Sequence, residues 1–178
     1  NAFNMFGLNY VIFRPHNVYG EYQNIGDKYR NVVGIFMNQI LKDEPLTIFG
    51  DGEQVRAFSY VGDIIDPIAS SPNNKEAHNQ VFNIGADTPF SVNTLAQKIC
   101  DIMDKPNHPI NYFEARNEVK IAYSDHTKTY NVFGKPKETP LEEGLKKMYN
   151  WVKKVGARTT SSFENIEIEK NLPPKWKQ

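Results

Sequence analysis

Polar side chains follow an apolar run close to the start of the chain. Residues 10–13 (Tyr-Val-Ile-Phe) are typical of a strand covered on both faces in a parallel sheet, and Pro15 ends the run because proline cannot donate to a ladder. His16, Asn17 and Tyr19 come directly afterwards. Ligands of open α/β sheets lie past the carboxyl ends of strands, so these side chains are candidates for ligand contact. On its own residues, Asn17 is more readily a turn residue that satisfies its own backbone.

A second segment, residues 46–61, combines aromatic side chains with an arginine. Phe49 ends a short apolar run, and Arg56 and Phe58, two positions apart, are expected on one face of a strand. A guanidinium is suited to phosphate because its planar fork pairs bidentately with the oxygens. The structural alternative makes Arg56 a solvated strand residue and Phe49 part of the core.

The helices and strands that position these residues follow from periodicity and from end signals. Residues 31–42 have helical spacing, and Asn31-Val32-Val33 stand at the start, where free N–H groups suit an anion; the alternative is an ordinary cap. Residues 46–49 and 55–61 predict two strands, and the Gly50-Asp51-Gly52 turn between them predicts a hairpin.

Further elements are predicted from the same signals. They are a helix from Ile64 capped by Asp63, a buried strand at 80–85, a helix capped by Ser91, a strand at 110–113, a short helix from Ser124-Asp125 to Phe133, a helix with Thr139 as N-cap and Glu142 in a capping box, ended by Gly156, and an extended tail over 158–178.

Three segments in one order resemble the motifs of a known family. Residues 14–20 resemble R-x-x-N-x-Y-G, residues 46–61 resemble φ-x-I-φ-G-x-G-x-Q-x-R-D-φ-x-Y-V (φ is apolar), and residues 116–125 resemble R-P-G-[DE]-[VP]-x-x-x-x-x-D. These motifs belong to the extended short-chain dehydrogenase/reductases, the NAD-dependent nucleotide-sugar epimerases and dehydratases. The likeness runs from Phe6 to Val155 and is greatest to UDP-glucose 4-epimerases. Ala57 departs from the usual Asp, and the third segment is one residue shorter and lacks Pro-Gly.

The resemblance implies an α/β fold. It makes residues 1–157 the C-terminal part of a Rossmann-type parallel sheet, with terminal strands near 8–14 and 80–85, plus a small mixed α/β substrate-binding domain. It also implies a set of site residues. They are Asn17, Arg56 and Arg116 on the diphosphate of a UDP-sugar, Asn31 and Val32 on the nucleotide sugar, Phe49 on the base with Phe58 beside Arg56, Glu118 on the ribose, and Pro15 and His16 near the nicotinamide of NAD.

The catalytic motifs of the family are missing from the sequence. A glycine-rich cofactor turn is absent, since Gly50 and Gly52 belong to the predicted hairpin. The spacing Tyr149-x-x-x-Lys153 matches the catalytic pair, but it falls in the C-terminal helix and is interpreted as a coincidence. We therefore expect the pair upstream of Asn1, no catalytic residue in this chain, and a chain that is part of a longer polypeptide.

Composition excludes several classes of function. Lys and Arg together number 21, as do Asp and Glu, so the chain lacks the basic excess of a nucleic-acid binder. No apolar stretch of membrane-spanning length occurs, and the single Cys100 suits a reducing cytoplasm. The histidines, at 16, 78, 108 and 126, show no metal-ligand spacing.

The sequence thus leads to one preferred function and two alternatives. The preferred one is the UDP-sugar-binding part of an NAD-dependent UDP-glucose/UDP-galactose 4-epimerase, which by resemblance is a homodimer. The alternatives are a nucleotide-sugar dehydratase or decarboxylase of the same family, and a non-catalytic UDP-sugar-binding module. The preferred hexose is left open.

Overall fold

The computed structural model describes residues 2–27 and 30–159 and confirms the predicted mixture of strands and helices. The predicted tail lies outside the described residues from position 160 onward. Two short 3-10 turns, Ser71–Asn73 and Lys75–Ala77, lie between the third helix and the sixth strand. Within the described part the α-helices are Ala2–Phe6 (α1), Val32–Leu41 (α2), Val61–Ser70 (α3), Val92–Ile102 (α4), Thr127–Phe133 (α5) and Leu141–Val155 (α6).

The strands are short and mostly pair in parallel. They are Val11–Pro15 (β1), Val18–Tyr19 (β2), Leu46–Phe49 (β3), Val55–Ala57 (β4), Ser59–Tyr60 (β5), Gln80–Ile84 (β6), Pro89–Ser91 (β7), Ile110–Phe113 (β8) and Ile121–Ala122 (β9). The parallel pairs are β1 with β6, β2 with β5 and β3 with β8, while β4 lies between antiparallel β7 and parallel β9. Because Pro15 pairs with Ile84, the carboxyl ends of β1 and β6 meet at one edge of their sheet.

The predicted hairpin over residues 46–61 is wrong. Gly50 and Gly52 do have positive φ, 76° and 75°, as a tight turn requires. However, β3 pairs with β8, and β4 pairs with β7 and β9. The predicted strand 55–61 is also interrupted, because Phe58 turns into the core between β4 and β5 and Val61 already begins α3. The turn residues fixed a local reversal of the chain but not the partner of each strand.

Helices α2, α4 and α6 pack around one apolar core that also contacts β3. The predicted stripe on α6 is confirmed, since its first four members are buried and Val155 packs at the margin. Burying a large apolar side chain contributes about 1.5–3 kcal/mol, so these stripes hold the helices in place. The core includes Val33, Phe36, Met37, Ile40, Leu46, Ile48, Phe58, Leu95, Ala96, Ile99, Leu141, Leu145, Met148 and Val152.

The predicted cap at Ser91 and the predicted stop at Gly156 are confirmed, and Asn31 caps α2, which the sequence left as an alternative. The Asn31 side chain accepts from the Val33 N–H at 2.9 Å, and the Ser91 hydroxyl accepts from the Thr94 N–H at 3.1 Å. Gly156, with φ 71°, ends α6.

The predicted caps at Asp63 and Thr139 are wrong. Helix α3 begins earlier, at Val61, and α6 follows Pro140 without a side-chain cap. The Asp63 carboxylate instead accepts from the Thr139 N–H at 2.8 Å and from its hydroxyl at 2.6 Å. Two residues of capping type satisfy each other and thereby connect the two helices. Helix α5 likewise starts later than predicted, at Thr127, whose N–H donates to Asp125.

Strand β1 is less buried than its apolar sequence predicts. Ile12 is 47% exposed, because β1 pairs with β6 on one side and no other described strand pairs with it. The neighbouring α1 segment also exposes large apolar side chains, namely Phe3, Met5, Phe6 and Leu8. No helix within residues 2–27 and 30–159 has both the length and the apolar character to cross a bilayer.

Candidate functional site

The loop after β1 is held against the backbone of Ala57. Asn17 has a left-handed conformation (φ 43°), which asparagine tolerates better than most residues, and its amide nitrogen donates to the Ala57 carbonyl at 3.1 Å. Asn17 is therefore a turn residue as well as a strand-end residue. A side-chain amide carries two N–H groups, so a second donor is present on the same nitrogen.

Two histidines and an aspartate lie in line behind this loop. His16 Nε2 is 2.9 Å from His126 Nε2, and His126 Nδ1 is 2.8 Å from Asp87 Oδ1. The two rings are nearly coplanar, at 15°, with centroids 5.0 Å apart. Since the two nitrogens are so much closer than the centroids, the rings meet edge to edge. We call Asn17, His16, Ser59, Asp87 and His126 the strand-end cluster.

Ser59 connects the loops that leave β1 and β6. Its buried hydroxyl donates to the His16 carbonyl at 2.8 Å and accepts from the Ala86 N–H at 2.9 Å. Gly85 lies against the same two side chains: a Cβ there would lie 2.5 Å from His16 Nε2 and closer still to the Ser59 oxygen. A side chain at this position would therefore collide with the cluster.

The electrostatics of the cluster favour a neutral His16 beside an ionised Asp87. Burial lowers the pKa of His16, and the neighbouring His126 lowers it further, although the Ala57 carbonyl opposes this. Burial acts to raise the pKa of Asp87, but hydrogen bonds with His126, Tyr130 and Lys135 outweigh burial and hold the pKa below its usual value. Lys135 Nζ lies 3.2 Å from the Asp87 carboxylate.

A second group of side chains lies on β4 and on the loop after β8. The Arg56 side chain, 16% exposed, donates to Glu118 Oε2 at 3.0 Å and to the Val55 and Lys120 carbonyls. The Arg116 guanidinium lies over the ring of Phe49, 3.4 Å from its centroid. The Glu118 N–H donates to the Arg116 carbonyl at 2.9 Å. Arg116 and the Glu118 that pairs with Arg56 therefore lie in one short turn. We call Phe49, Arg56, Arg116 and Glu118 the arginine cluster.

The two clusters meet at the end of β4. Arg56 belongs to the arginine cluster, and the next residue, Ala57, accepts hydrogen bonds from Asn17 and His16. Contacts thus run without a break from Asn17 through β4 to Arg56 and on to the Glu118 turn. One chain of contacts thus links Asn17, Arg56 and Arg116, the predicted diphosphate residues.

The remaining predicted site residues have mixed placements. Both polar atoms of Asn31 are engaged, since its amide nitrogen donates to the Val18 carbonyl at 2.7 Å and its oxygen caps α2. Val32 is the first residue of α2, where the helix supplies no acceptor to the N–H. Phe58 is buried in the core and does not share the partly exposed position of Arg56. Pro15 is exposed at the end of β1.

Sequence reasoning missed His126, Asp87 and Lys135. The histidines looked scattered because their spacing along the chain carries no pattern. A topological signal was present, however: Asp87 follows the strand at 80–84, and His16 follows the strand at 11–15. Recognising those two strands as parallel neighbours would have placed Asp87 and His16 at one sheet edge.

Comparison with known proteins identifies the family. The profile of the NAD dependent epimerase/dehydratase family matches residues 1–85, the part that contains β1, β6 and most of the strand-end cluster. The chain belongs to the NAD-dependent epimerase/dehydratase family.

Curated relatives of this epimerase/dehydratase chain cover more than one activity. A Methanocaldococcus jannaschii protein with the provisional name UDP-glucose 4-epimerase is 36% identical over 149 residues, which is 84% of this chain and 47% of that protein. UDP-glucuronate 4-epimerase of Thermodesulfobacterium geofontis is 28% identical over 94% of the chain and 47% of its own length. UDP-glucuronic acid decarboxylase 1 of Xenopus tropicalis is 28% identical over 83% of the chain and 34% of its own length. The chain spans about half the length, or less, of these relatives.

Solved structures confirm the Rossmann-type α/β fold class. UDP-glucose 4-epimerase of Thermotoga maritima, crystallised with UDP-glucose, is 33% identical and superposes with a TM-score of 0.77 over 86% of this chain and 48% of that one. UDP-glucuronic acid 4-epimerase of Bacillus cereus, in complex with UDP-glucuronic acid and NAD, is 28% identical with a TM-score of 0.76 over 86% and 48%. The epimerase/dehydratase chain is thus similar to proteins that bind UDP-sugars and NAD.

Proposed function

We propose that the chain binds the diphosphate and nucleoside of a UDP-sugar as part of an NAD-dependent UDP-glucose/UDP-galactose 4-epimerase. The observation that carries the proposal is the meeting of Arg56, Arg116 and Asn17 in one contact network around β4. Guanidinium groups and an amide N–H are the donors that a diphosphate requires, and the relatives named above support the choice of a UDP-sugar.

Each residue of the arginine cluster then has a role. Arg56 and Arg116 bind phosphate oxygens, and the second N–H of the Asn17 amide adds a neutral donor. Phe49 provides an aromatic face for the base, and Glu118 accepts from ribose hydroxyls. Glu118 is 41% exposed in its pairing with Arg56, and exposed ion pairs contribute only about 0–1 kcal/mol. A diphosphate can therefore replace Glu118 on Arg56 at low cost.

The residues near the sheet edge fit one side of a nicotinamide cofactor. Pro15 is exposed at the carboxyl end of β1, where doubly wound sheets bind such cofactors, while both ring nitrogens of His16 are already engaged. NAD, when bound, supplies reversible hydride acceptance at the sugar carbon that inverts. Pro15 would lie against one side of the nicotinamide, and His16 would hold the adjacent loop in place. We further propose that residues 1–157 act as one unit and that the protein is a cytoplasmic homodimer, as the resemblance implies.

A second candidate function is decarboxylation of a UDP-glucuronic acid. The similarity to UDP-glucuronic acid decarboxylases supports it, since one from Arabidopsis thaliana is 31% identical over 75% of this chain. Both functions require the same contacts to the diphosphate. They are therefore distinguished by which sugar the protein prefers. A preference for a carboxylated sugar over UDP-glucose would favour decarboxylation or glucuronate epimerisation.

Calorimetric titration of the 178-residue chain tests the proposal. UDP-glucose, UDP-glucuronic acid and NAD are titrated separately into the wild type, Arg56→Ala and Lys105→Ala. Arg56→Ala should weaken UDP-glucose binding by about 1.5–3 kcal/mol, the range for hydrogen bonds to charged groups. Lys105→Ala is the matched control, because it also removes a cation. Lys105 pairs with Asp43 at 4.0 Å away from the arginine cluster, so binding should be unchanged in this variant.

Two outcomes would change the assignment. Equal UDP-glucose affinity of Arg56→Ala and wild type would contradict the phosphate role of Arg56. Tighter binding of UDP-glucuronic acid than of UDP-glucose would favour the second candidate function over a UDP-glucose/UDP-galactose 4-epimerase.

A further inference from the structure

The proposed function makes no use of Asp87 and His126, although His126 is buried beside His16 and Asp87 is half-buried behind it. The His126 side chain is fully buried and contacts His16 on one side and Asp87 on the other. His126 precedes α5, Asp87 follows β6, and His16 follows β1. Three separate chain segments thus converge on one line of hydrogen bonds.

The donors and acceptors of this line fix the number of its protons. The Ala57 carbonyl only accepts, so His16 Nδ1, at 3.3 Å, carries a hydrogen, and a neutral His16 then presents a bare Nε2. An ionised Asp87 also only accepts, so His126 Nδ1 carries a hydrogen. The 2.9 Å contact between the two Nε2 atoms needs one more hydrogen, which His126 must supply. The line is complete when the two rings together hold one proton beyond their neutral state.

This proton also bears on the loop that carries Asn17. The Ala57 carbonyl that receives His16 Nδ1 is the one that receives the Asn17 amide. The His16 backbone is held through Ser59. The orientation of the His16 ring therefore helps to set where Asn17 stands relative to β4.

We propose that Asp87, His126 and His16 share one proton and that this proton positions Asn17 for diphosphate binding. Asp87 and His126 are positioning residues, because they act through His16 and not on the ligand. The ligand-binding half of the proposal rests on the proposed function, whereas the proton-sharing half does not.

The arrangement predicts a window of pH with a limit on each side. When the pH rises far enough for the shared proton to leave, two bare nitrogens face each other at 2.9 Å. When the pH falls, His16 also protonates and two N–H groups face each other. Because burial lowers the pKa of His16, its neutral form persists below the pH at which an exposed histidine would charge.

Other titratable groups around the line set the position of this window. Asp87 is paired with Lys135 at 3.2 Å and hydrogen-bonded to Tyr130, and Asp125 precedes His126 in sequence. Asp87 attracts the shared proton, whereas Lys135 weakens that attraction by pairing with the same carboxylate. Removing the charge of Asp87 should therefore lower the pH at which the proton leaves, and removing Lys135 should raise it.

Nitrogen-15 NMR of the imidazole rings in the whole chain tests the proton-sharing half. At the pH of maximal Asn17 order we expect His126 protonated on both nitrogens and His16 as the Nδ1–H tautomer. Asp87→Asn keeps an acceptor but removes the charge, so the proton should leave about one pH unit lower, the small end of the range for a lost charge partner. Lys135→Met should raise the pH at which the proton leaves. His78 and His108, which bond to the Pro72 and Glu44 carbonyls, are internal controls that neither change should move.

Backbone and side-chain amide signals of Asn17 test the positioning half. They should follow the same two-sided pH profile in wild type and shift with it in both variants. UDP-glucose keeps its charge across this range, and its affinity should fall about twofold to tenfold from the maximum to pH 8.5, as expected for one lost hydrogen bond.

Each alternative outcome is decisive. Two rings that titrate independently, with no response to Asp87→Asn or Lys135→Met, would overturn proton sharing. A shared proton with Asn17 signals that ignore pH would overturn positioning. If UDP-glucose fails to bind at any pH, the proposed function fails, while the ring and Asn17 signals still decide this inference.

Discussion

The strand-end cluster and the arginine cluster touch the same strand but are built in different ways. In the strand-end cluster, His126 and Ser59 are buried, and the histidine, serine and asparagine side chains bond to groups on other segments of the chain. In the arginine cluster, the loop that carries Arg116 and Glu118 is exposed throughout. Its charges are held by one ion pair, a ring face and backbone carbonyls. One cluster is fixed by the fold, and the other can rearrange on contact with a ligand.

This difference follows from the cost of moving charges. Breaking a buried charged pair costs about 3–5 kcal/mol, whereas an exposed pair contributes about 0–1 kcal/mol. Changes at the buried members of the strand-end cluster should therefore lower the stability of the chain, whether or not they also act on the ligand through Asn17. Changes in the arginine cluster should alter ligand affinity and leave stability nearly unchanged. A substitution in the arginine cluster that mainly lowers stability would contradict this distinction.

The largest effect is expected for Gly85→Ala. The new Cβ would lie 2.5 Å from His16 Nε2 and closer to Ser59 Oγ, and Gly85 also has a positive φ of 156°. Overpacking and backbone strain together should lower the free energy of unfolding by about 2–4 kcal/mol, measured by urea denaturation.

Gly134→Ala is the matched control for this change. Gly134 also has a positive φ, 79°, but a Cβ there meets nothing within 4 Å. Backbone strain alone should lower its unfolding free energy by about 1–2 kcal/mol. Equal losses for both variants would show that the strand-end cluster yields to a methyl group and is not fixed by the fold.

Much of the fold was predictable because local signals and burial agreed. Helix α2 with its Asn31 cap, α4 with its Ser91 cap and the stripe of α6 all follow from periodicity and end residues. Strand pairing was not predictable in the same way, since β3 and β4 are adjacent in sequence yet join different sheets. Turn chemistry at Gly50 and Gly52 describes a bend, and only packing of residues far along the chain selects the partner.

The two clusters differ in how far the sequence reveals them. Arg56, Arg116 and Phe49 are indicated by motifs, because each lies in a segment with a recognisable pattern. The Asp87–His126–His16 line is not, because its members stand up to 110 positions apart and meet only through the parallel pairing of β1 and β6. Asp63 and Thr139 show the converse: both match capping patterns, yet a contact across 76 positions satisfies them together.

An intermediate effect is expected for Phe49→Leu, which removes the ring beneath Arg116. A cation over an exposed ring contributes about 0.5–1 kcal/mol, so calorimetry should show UDP-glucose affinity reduced by about twofold to fivefold. Combining Phe49→Leu with Arg116→Lys should cost less than the sum of the two changes, because lysine lacks the planar group that lies on the ring.

Tyr149→Leu is the control for the loss of a ring. Lys153 Nζ lies 4.6 Å from the centre of the Tyr149 ring on α6, far along the chain from the arginine cluster. Affinity for UDP-glucose should be unchanged in this variant. Strictly additive losses for Phe49 and Arg116 would mean that the two side chains act on the ligand separately.

A smaller effect, whose sign depends on the ligand, is expected for Glu118→Gln. The carboxylate pairs with Arg56 at 3.0 Å and also has the proposed ribose role, and these two roles predict changes of opposite sign. Loss of the charge should improve binding of inorganic pyrophosphate, which has no ribose, by about twofold to fivefold, because the phosphate no longer competes with Glu118 for Arg56. Binding of UDP should weaken by a similar factor, since the ribose hydroxyls lose a charged acceptor. Glu114→Gln removes an exposed carboxylate from the same loop and should change neither ligand's affinity by as much. If pyrophosphate and UDP both bind more tightly to Glu118→Gln, Glu118 serves only as the counter-ion of Arg56 and the ribose lies elsewhere.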